Sequence, residues 1–271
     1  MLRQRVLVVM VLLPIGLALI YLGGAFYNLM IAAVLGLAAW EYARIFQSGD
    51  FQPSIWMTLI GVLLLALGRA WNGFESAPLL LSFLILASMT VHLAAYERGR
   101  GRAASDFAVT ISGIFYIGWL GTYLISLRDL PNGIWWVLLV LPAVWLADTG
   151  AYFVGRAVGK HKFSPRLSPK KTWEGYFGGI IFGTVGSALL AVIYGLLQPG
   201  VISPLHGAAL GLILSLVTPL GDLGESMIKR QFGVKDSSHL IPGHGGVFDR
   251  IDSWLWAGVI GFYIVQVFAL F

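Results

Sequence analysis

Residues 175–197, GYFGGIIFGTVGSALLAVIYGLL, run for 23 positions without a charged side chain. An α-helix rises about 1.5 Å per residue, so this stretch is long enough to cross the roughly 30 Å hydrocarbon core of a bilayer. The same pattern recurs on both sides of it. Apolar runs read as spans at roughly 6–22, 26–46, 54–70, 77–96, 107–127, 133–154, 204–228 and 253–270, about nine in all. Composition agrees: 58% of the 271 residues are hydrophobic, 11% are charged and the mean hydropathy is +0.81, outside the range of soluble domains. The fold expected is an all-α polytopic integral membrane protein with about nine transmembrane helices. It reads as a single membrane domain over 1–271, with N-terminal helices in 1–130, catalytic helices in 131–271, and polar loops at 155–174 and 229–252.

Lys and Arg in short loops collect on the cytoplasmic side of a membrane. With the N-terminus inside and nine crossings, 16 of the 18 basic residues fall inside, and only Arg69 and Arg128 fall outside. Both polar loops are then cytoplasmic, the C-terminus is external, and the expected location is the plasma (inner) membrane. Removing the first apolar run as a signal peptide would reverse this parity, so the run is expected to be retained. The net charge of +5 follows from the same bias and from attraction to anionic lipid headgroups; no nucleic acid is needed to explain it. The absence of cysteine excludes disulfides, thiolate catalysis and cysteine-bound metal centres. Gly175, Gly179 and Gly183, and again Gly207 and Gly211, recur every four residues, a spacing that lets helix backbones approach closely in lipid. Packing is the simpler use, lining a substrate groove the other, and a homodimer is a further expectation.

Two segments break the apolar pattern. From Asp148 to Gly175 the chain reads DTGAYFVGRAVGKHKFSPRLSPKKTWEG, with six Lys or Arg between 156 and 171 interleaved with Ser164, Ser168 and Thr172. Such a loop suits phosphate, because Lys supplies charge, Arg a forked donor and hydroxyls further hydrogen bonds. The positive-inside bias explains the charge equally well. The run GRAVGKH from Gly155 is not a Walker loop, since it has one residue too few between the glycines and His161 where Ser or Thr should stand. Asp148 reads either as a metal or proton site or as the cap of a helix break.

The second segment, VTPLGDLGESMIKRQFGVKDSSHLIPGHGGVFDRID at 217–252, holds eleven ionisable side chains. A carboxylate near the bilayer centre costs at least about 2.5–3.5 kcal/mol, so an acid there is by default a functional hypothesis. Asp222 and Glu225 share a helical face, Asp249 and Asp252 return at the start of the last span, and PGHGG between them is a tight turn with exposed N–H groups. Carboxylates flanking such a turn can bind one or two Mg²⁺, which prefers oxygen ligands and shares them with substrate phosphates. A salt-bridge network of Asp222, Glu225, Lys229 and Arg250 is the alternative, and it leaves the glycine-rich turn unexplained. His239 and His244 make a weak zinc pair, so magnesium is preferred.

Residues Ser226 to Asp252, SMIKRQFGVKDSSHLIPGHGGVFDRID, resemble the signature of the phosphatidate cytidylyltransferase family at Ser226, Lys229, Arg230, Lys235, Asp236, Ser238, Pro242, His244, Gly245, Gly246, Asp249, Arg250 and Asp252. WLADTGAY, the 155–175 loop and GDLGES are similar to bacterial members, and the resemblance extends over the whole chain. It implies Mg²⁺-dependent transfer of a cytidylyl group from CTP to phosphatidic acid within the lipid bilayer, giving CDP-diacylglycerol and pyrophosphate. On that reading Asp222 and Asp249 are the principal metal ligands, with Glu225 and Asp148 as further ones. Lys170, Lys171, Lys229, Arg230 and Arg250 hold phosphates, Ser168, His244, Gly245 and Gly246 shape the nucleotide pocket, and Lys235, Asp236, Glu225 and Asp252 complete the substrate contacts. A monovalent cation such as K⁺ is a further candidate cofactor. A cation- or proton-coupled transporter is the rival from another class, but it predicts acids spread through the membrane depth and a repeat, neither of which is seen. A CDP-alcohol phosphotransferase would need a DGxxDGxxAR-like run, which is absent.

Overall fold

A computed structural model of the protein describes the backbone of residues 2–270 and the side chains of residues 6–270. The side chains of Arg3 and Arg5, counted in the charge bias, lie outside the described residues. The chain forms α1 (Leu2–Leu22), α2 (Gly24–Gln47), α3 (Ile55–Asn72), α4 (Ala77–Glu97), α5 (Ala103–Gly113), a π-helical turn (Ile114–Trp119) and α6 (Tyr123–Asp129). It continues as α7 (Gly133–Val158), β1 (Lys162–Ser164), β2 (Ser168–Thr172), α8 (Trp173–Leu197), α9 (Pro204–Val217), α10 (Pro219–Gln231) and α11 (Phe248–Phe268). Among the described residues eight helices or runs of successive helices are long and apolar enough to cross a membrane, and Val6–Leu22 is a shorter apolar one. The protein is a multi-pass integral membrane protein.

Local chemistry sets the helix ends. Ser54, Thr172 and Ser203 cap α3, α8 and α9 by accepting from the backbone N–H of Met57, Gly175 and His206, and Pro204 opens α9, where its missing N–H costs nothing. Two of the expected spans are not single α-helices. The span around 107–127 is α5, the π-helical turn and α6 in succession. The span around 204–228 breaks into α9 and α10 at Thr218–Pro219, where Pro219 has no N–H to continue the ladder and the Thr218 hydroxyl turns back to the Leu214 carbonyl at 2.8 Å.

The chain gathers into two compact units. The first comprises the chain up to Ser126 together with Ile228–Ile251. Its core includes Leu65, Leu84 and Ile114, packed by Leu64, Leu80, Leu81, Ile111 and Trp119. Arg69, only 3% exposed, lies over the rings of Phe74 at 3.4 Å, Trp119 at 4.8 Å and Tyr123 at 5.2 Å; those ring faces favour its charge where water is scarce. Tyr42, Phe46, Phe51, Phe232 and Phe248 form a chain of ring contacts, which packs the segment after α10 onto α2.

The second unit comprises Leu127–Met227 and the chain from Asp252. The four-residue glycine repeat is used for packing inside it. A Cβ on Gly179 would lie 2.8 Å from the Ala147 carbonyl of α7, and one on Gly211 would lie 2.5 Å from the Gly183 carbonyl of α8. The repeat that raised the expectation of a homodimer therefore closes helix contacts within the chain. The basic loop after α7 is an antiparallel hairpin, with Lys162 paired to Thr172 and Ser164 to Ser168. Glu174, in the first turn of α8, ties off its base by accepting from the N–H groups of Lys160 at 3.1 Å and His161 at 3.2 Å and facing His161 Nδ1 at 2.6 Å.

Candidate active site

In the second unit the break at Thr218–Pro219 starts α10 afresh, which puts Asp222 in a first helical turn, where the free N–H groups favour an anion. Glu225 follows one turn on and is 1% exposed. Asp252 comes from α11, 7% exposed, and its Oδ1 accepts from the Ser253 N–H at 2.6 Å. Gly221 allows the approach of these elements, since a Cβ there would lie 2.6 Å from the Asp252 carbonyl. One oxygen from each of Asp222, Glu225 and Asp252 lies within 4.8 Å of the others. Ionised carboxylates at that separation repel by about 3 kcal/mol per pair at an effective dielectric near 20, so the arrangement calls for positive charge. Lys171 Nζ supplies part of it through an ion pair with Asp222.

Lys171 also lines a cavity of ≈ 460 Å³ within the same unit. Asp148, Arg156, Lys162 and Lys170 give this cavity its charge, and Ala147, Ala151 and Gly155 of α7 with Gly175 and Gly179 of α8 give it an apolar wall. Phe163 stacks on Tyr176 at 5.1 Å beside it. Ser168 begins β2, half-buried, and is not among the lining residues.

In the first unit, the chain leaves α10 through Gly233, whose φ of 67° is left-handed. The N–H of Val234 returns to the Lys229 carbonyl at 3.0 Å and that of Gly233 to the Arg230 carbonyl at 3.2 Å, a Schellman termination. The loop beyond it folds on itself, with the Ile241 N–H donating to the Gly245 carbonyl at 2.9 Å around Gly243 at φ 78°. Asp249 binds this loop. Its Oδ2 accepts from the Ser237 N–H at 2.9 Å, the Ser237 hydroxyl at 2.9 Å and the Gly246 N–H at 2.8 Å, and its Oδ1 accepts from Lys229 Nζ at 2.5 Å. Both side chains are almost enclosed, at 10% and 4% exposure for Lys229 and Asp249. His244 Nδ1 is buried and has no hydrogen-bond partner among the described residues.

The structure therefore groups Asp252, expected among the substrate contacts, with Asp222 and Glu225. It sets Asp148, Lys170 and Lys171 around one cavity. Asp249, Lys229, Gly245, Gly246 and His244 belong to the other unit, where Asp249 is engaged by Lys229 and the loop. Arg230, Lys235, Asp236 and Arg250 are exposed. Glu41 was missed by the sequence reading. It is fully buried in α2, and its carboxylate takes up donors of the 237–248 loop. The signal was present, a lone acid inside an apolar span in the run WEYARIF.

A sequence model of the Cytidylyltransferase family matches residues 3–268. The chain belongs to the cytidylyltransferase family. Among its relatives is a phosphatidate cytidylyltransferase of Pseudomonas aeruginosa, 40% identical over 257 residues that cover 93% of each chain. Proteins of the same name from Brucella suis and a Synechocystis strain are 36% and 31% identical, covering 99% and 97% of this chain and 94% and 96% of theirs. Membership of the cytidylyltransferase family makes the protein a nucleotidyltransferase.

Proposed function

We propose that the protein transfers the cytidylyl group of CTP to phosphatidic acid, releasing pyrophosphate and forming CDP-diacylglycerol, with Mg²⁺ held by Asp222, Glu225 and Asp252. The observation that carries this reading is the double role of Lys171, which pairs with Asp222 of the acid cluster and lines the basic, half-apolar cavity. Three converging carboxylates form an all-oxygen donor set, which suits a hard cation such as Mg²⁺ better than zinc. When bound, Mg²⁺ would supply positive charge to the nucleotide phosphates at the place where pyrophosphate leaves.

The chain's own groups account for the rest. Arg156, Lys162, Lys170 and Lys171 attract and orient phosphate, while the small residues of α7 and α8 give an acylglycerol an apolar wall. A phosphatidate oxygen, already ionised near neutral pH, forms the new bond to the α-phosphorus as the bond to pyrophosphate breaks, so no general base is required. Positioning and charge stabilisation then carry most of the rate. In the first unit Asp249 accepts from Lys229 Nζ and from the loop and so fixes that ammonium, which the resemblance makes a phosphate-holding group. The 16-to-2 distribution of basic residues supports a cytoplasmic face for both polar segments.

The test is incubation of the purified protein with phosphatidic acid and CTP labelled at the α-phosphate, with Mg²⁺ or with EDTA, in Na⁺ or K⁺ buffer. Labelled lipid forming only with Mg²⁺ is the expected result, and the salt exchange reads any K⁺ requirement. No labelled lipid from folded protein would contradict the proposal, and ion flux in liposomes would then support the transporter.

A further inference from the structure

Glu41 is enclosed in α2 at 0% exposure, and both of its carboxylate oxygens are doubly engaged by residues about 200 positions away. Oε1 accepts from the Ser238 hydroxyl at 2.5 Å and the Val247 N–H at 3.0 Å, and Oε2 from the Ser237 hydroxyl at 3.0 Å and the Phe248 N–H at 2.6 Å. Asp249 holds the neighbouring donors of the same loop, the N–H groups of Ser237 and Gly246. The two carboxylates thus divide one loop between them, with Asp249 taking residues 237 and 246 and Glu41 taking 237, 238, 247 and 248. The Ser237 hydroxyl lies within hydrogen-bond distance of both, at 3.0 Å and 2.9 Å, and its single proton links their positions. Gly246 is where the fit is tightest, since a Cβ there would lie 2.1 Å from Ser237 Oγ and 2.5 Å from Glu41 Oε1.

We infer that Glu41 is a positioning residue for the reaction: it anchors the 237–248 loop to α2 and so sets Asp249 and the Lys229 ammonium that Asp249 holds. A carboxylate suits the task because a charged acceptor binds several N–H and O–H donors more strongly than a neutral one, and burial fixes their directions. Glutamine at this position keeps the shape, but its NH₂ group would face donors. This inference rests on the proposed role of Lys229 and Asp249 in cytidylyl transfer.

The experiment uses the full chain in detergent with Glu41→Gln, Glu41→Asp, Ser237→Ala and Asp249→Asn, scoring steady-state kinetics alongside amide hydrogen exchange. Glu41→Gln is expected to elute as the wild type does and to lower kcat about 10–100-fold, as loss of an outer-shell partner typically does. Its KM for phosphatidic acid should stay within about twofold, which distinguishes misplacement of a reacting group from lost lipid binding. The Val247 and Phe248 amides should exchange at least roughly tenfold faster, with those of α7 and α8 unchanged. Glu41→Asp, which keeps the charge, should restore part of kcat. Should Glu41→Gln fail to fold, Ser237→Ala carries the test, because it removes only the shared hydroxyl and should lower kcat in the same direction. An inactive Asp249→Asn beside a Glu41→Gln, or if that does not fold a Ser237→Ala, with wild-type kcat would overturn the inference. An Asp249→Asn with wild-type kcat would instead overturn the reading on which it rests.

Discussion

The protein buries acids in two different ways. In the first unit Glu41 and Asp249 are surrounded by hydroxyls, backbone N–H groups and an ammonium, all directed at their oxygens. In the second, Asp222, Glu225 and Asp252 converge on one another, with Lys171 on the outermost of them. A buried carboxylate is costly in either setting, and what offsets the cost differs. Donors built into the chain make an acid part of the scaffold, whereas carboxylates that converge repel one another, and on the proposed reading a bound cation offsets that repulsion. Residue type and burial alone therefore do not separate an acid held by the chain's own donors from one that faces other acids; the groups facing each oxygen do.

The comparison can be broken most sharply at Asp222. Replacing it with Ala should lower turnover by roughly 10³-fold or more while leaving the helical content unchanged, as labelled-lipid formation and circular dichroism would show; activity within a few-fold of wild type would remove Asp222 from the site. Lys171→Ala comes next, since it takes a cation from both the cluster and the cavity. A loss of about 10²-fold in kcat/KM for both substrates is expected from the same assay. Glu41→Ala tests the opposite side. It takes the acceptor from four donors and leaves the buried N–H groups of Val247 and Phe248 without one, so a stability loss of about 2–4 kcal/mol is expected in denaturant titration, against no such loss for Asp222→Ala. Glu174→Ala should be the mildest. It loosens the base of the hairpin locally, seen as faster protease cleavage near 159–172 with activity lowered only a few-fold.

What the sequence disclosed follows the same physics. The spans were legible because crossing a bilayer imposes a length and an apolar composition that any window detects. The break at Thr218–Pro219 was written in Pro219, yet the surrounding apolar run masked it. The hairpin at Lys162–Thr172 was not legible, because a short charged segment with two prolines carries no hydrophobic alternation to set a strand period. Asp222 and Glu225 were paired correctly on one face by their i,i+3 spacing. Asp252 joins them from a separate helix through the close approach at Gly221, which no local pattern encodes. Glu41 escaped because it is the lone acid of its span, and the loop that it binds lies about 200 residues away.

The most direct test of this account is thermal unfolding of the full-length protein and of Asp252→Asn, each in EDTA and in Mg²⁺. Without divalent metal, removing one charge from the converging cluster should raise Tm, in keeping with relief of about 1 kcal/mol or more of repulsion. Mg²⁺ should then stabilise the wild type and leave the variant unmoved, because a cation that binds only the folded cluster raises Tm by mass action. A variant that melts lower than wild type in EDTA and still gains the full Mg²⁺ shift would contradict the assignment of these three acids as a cation site.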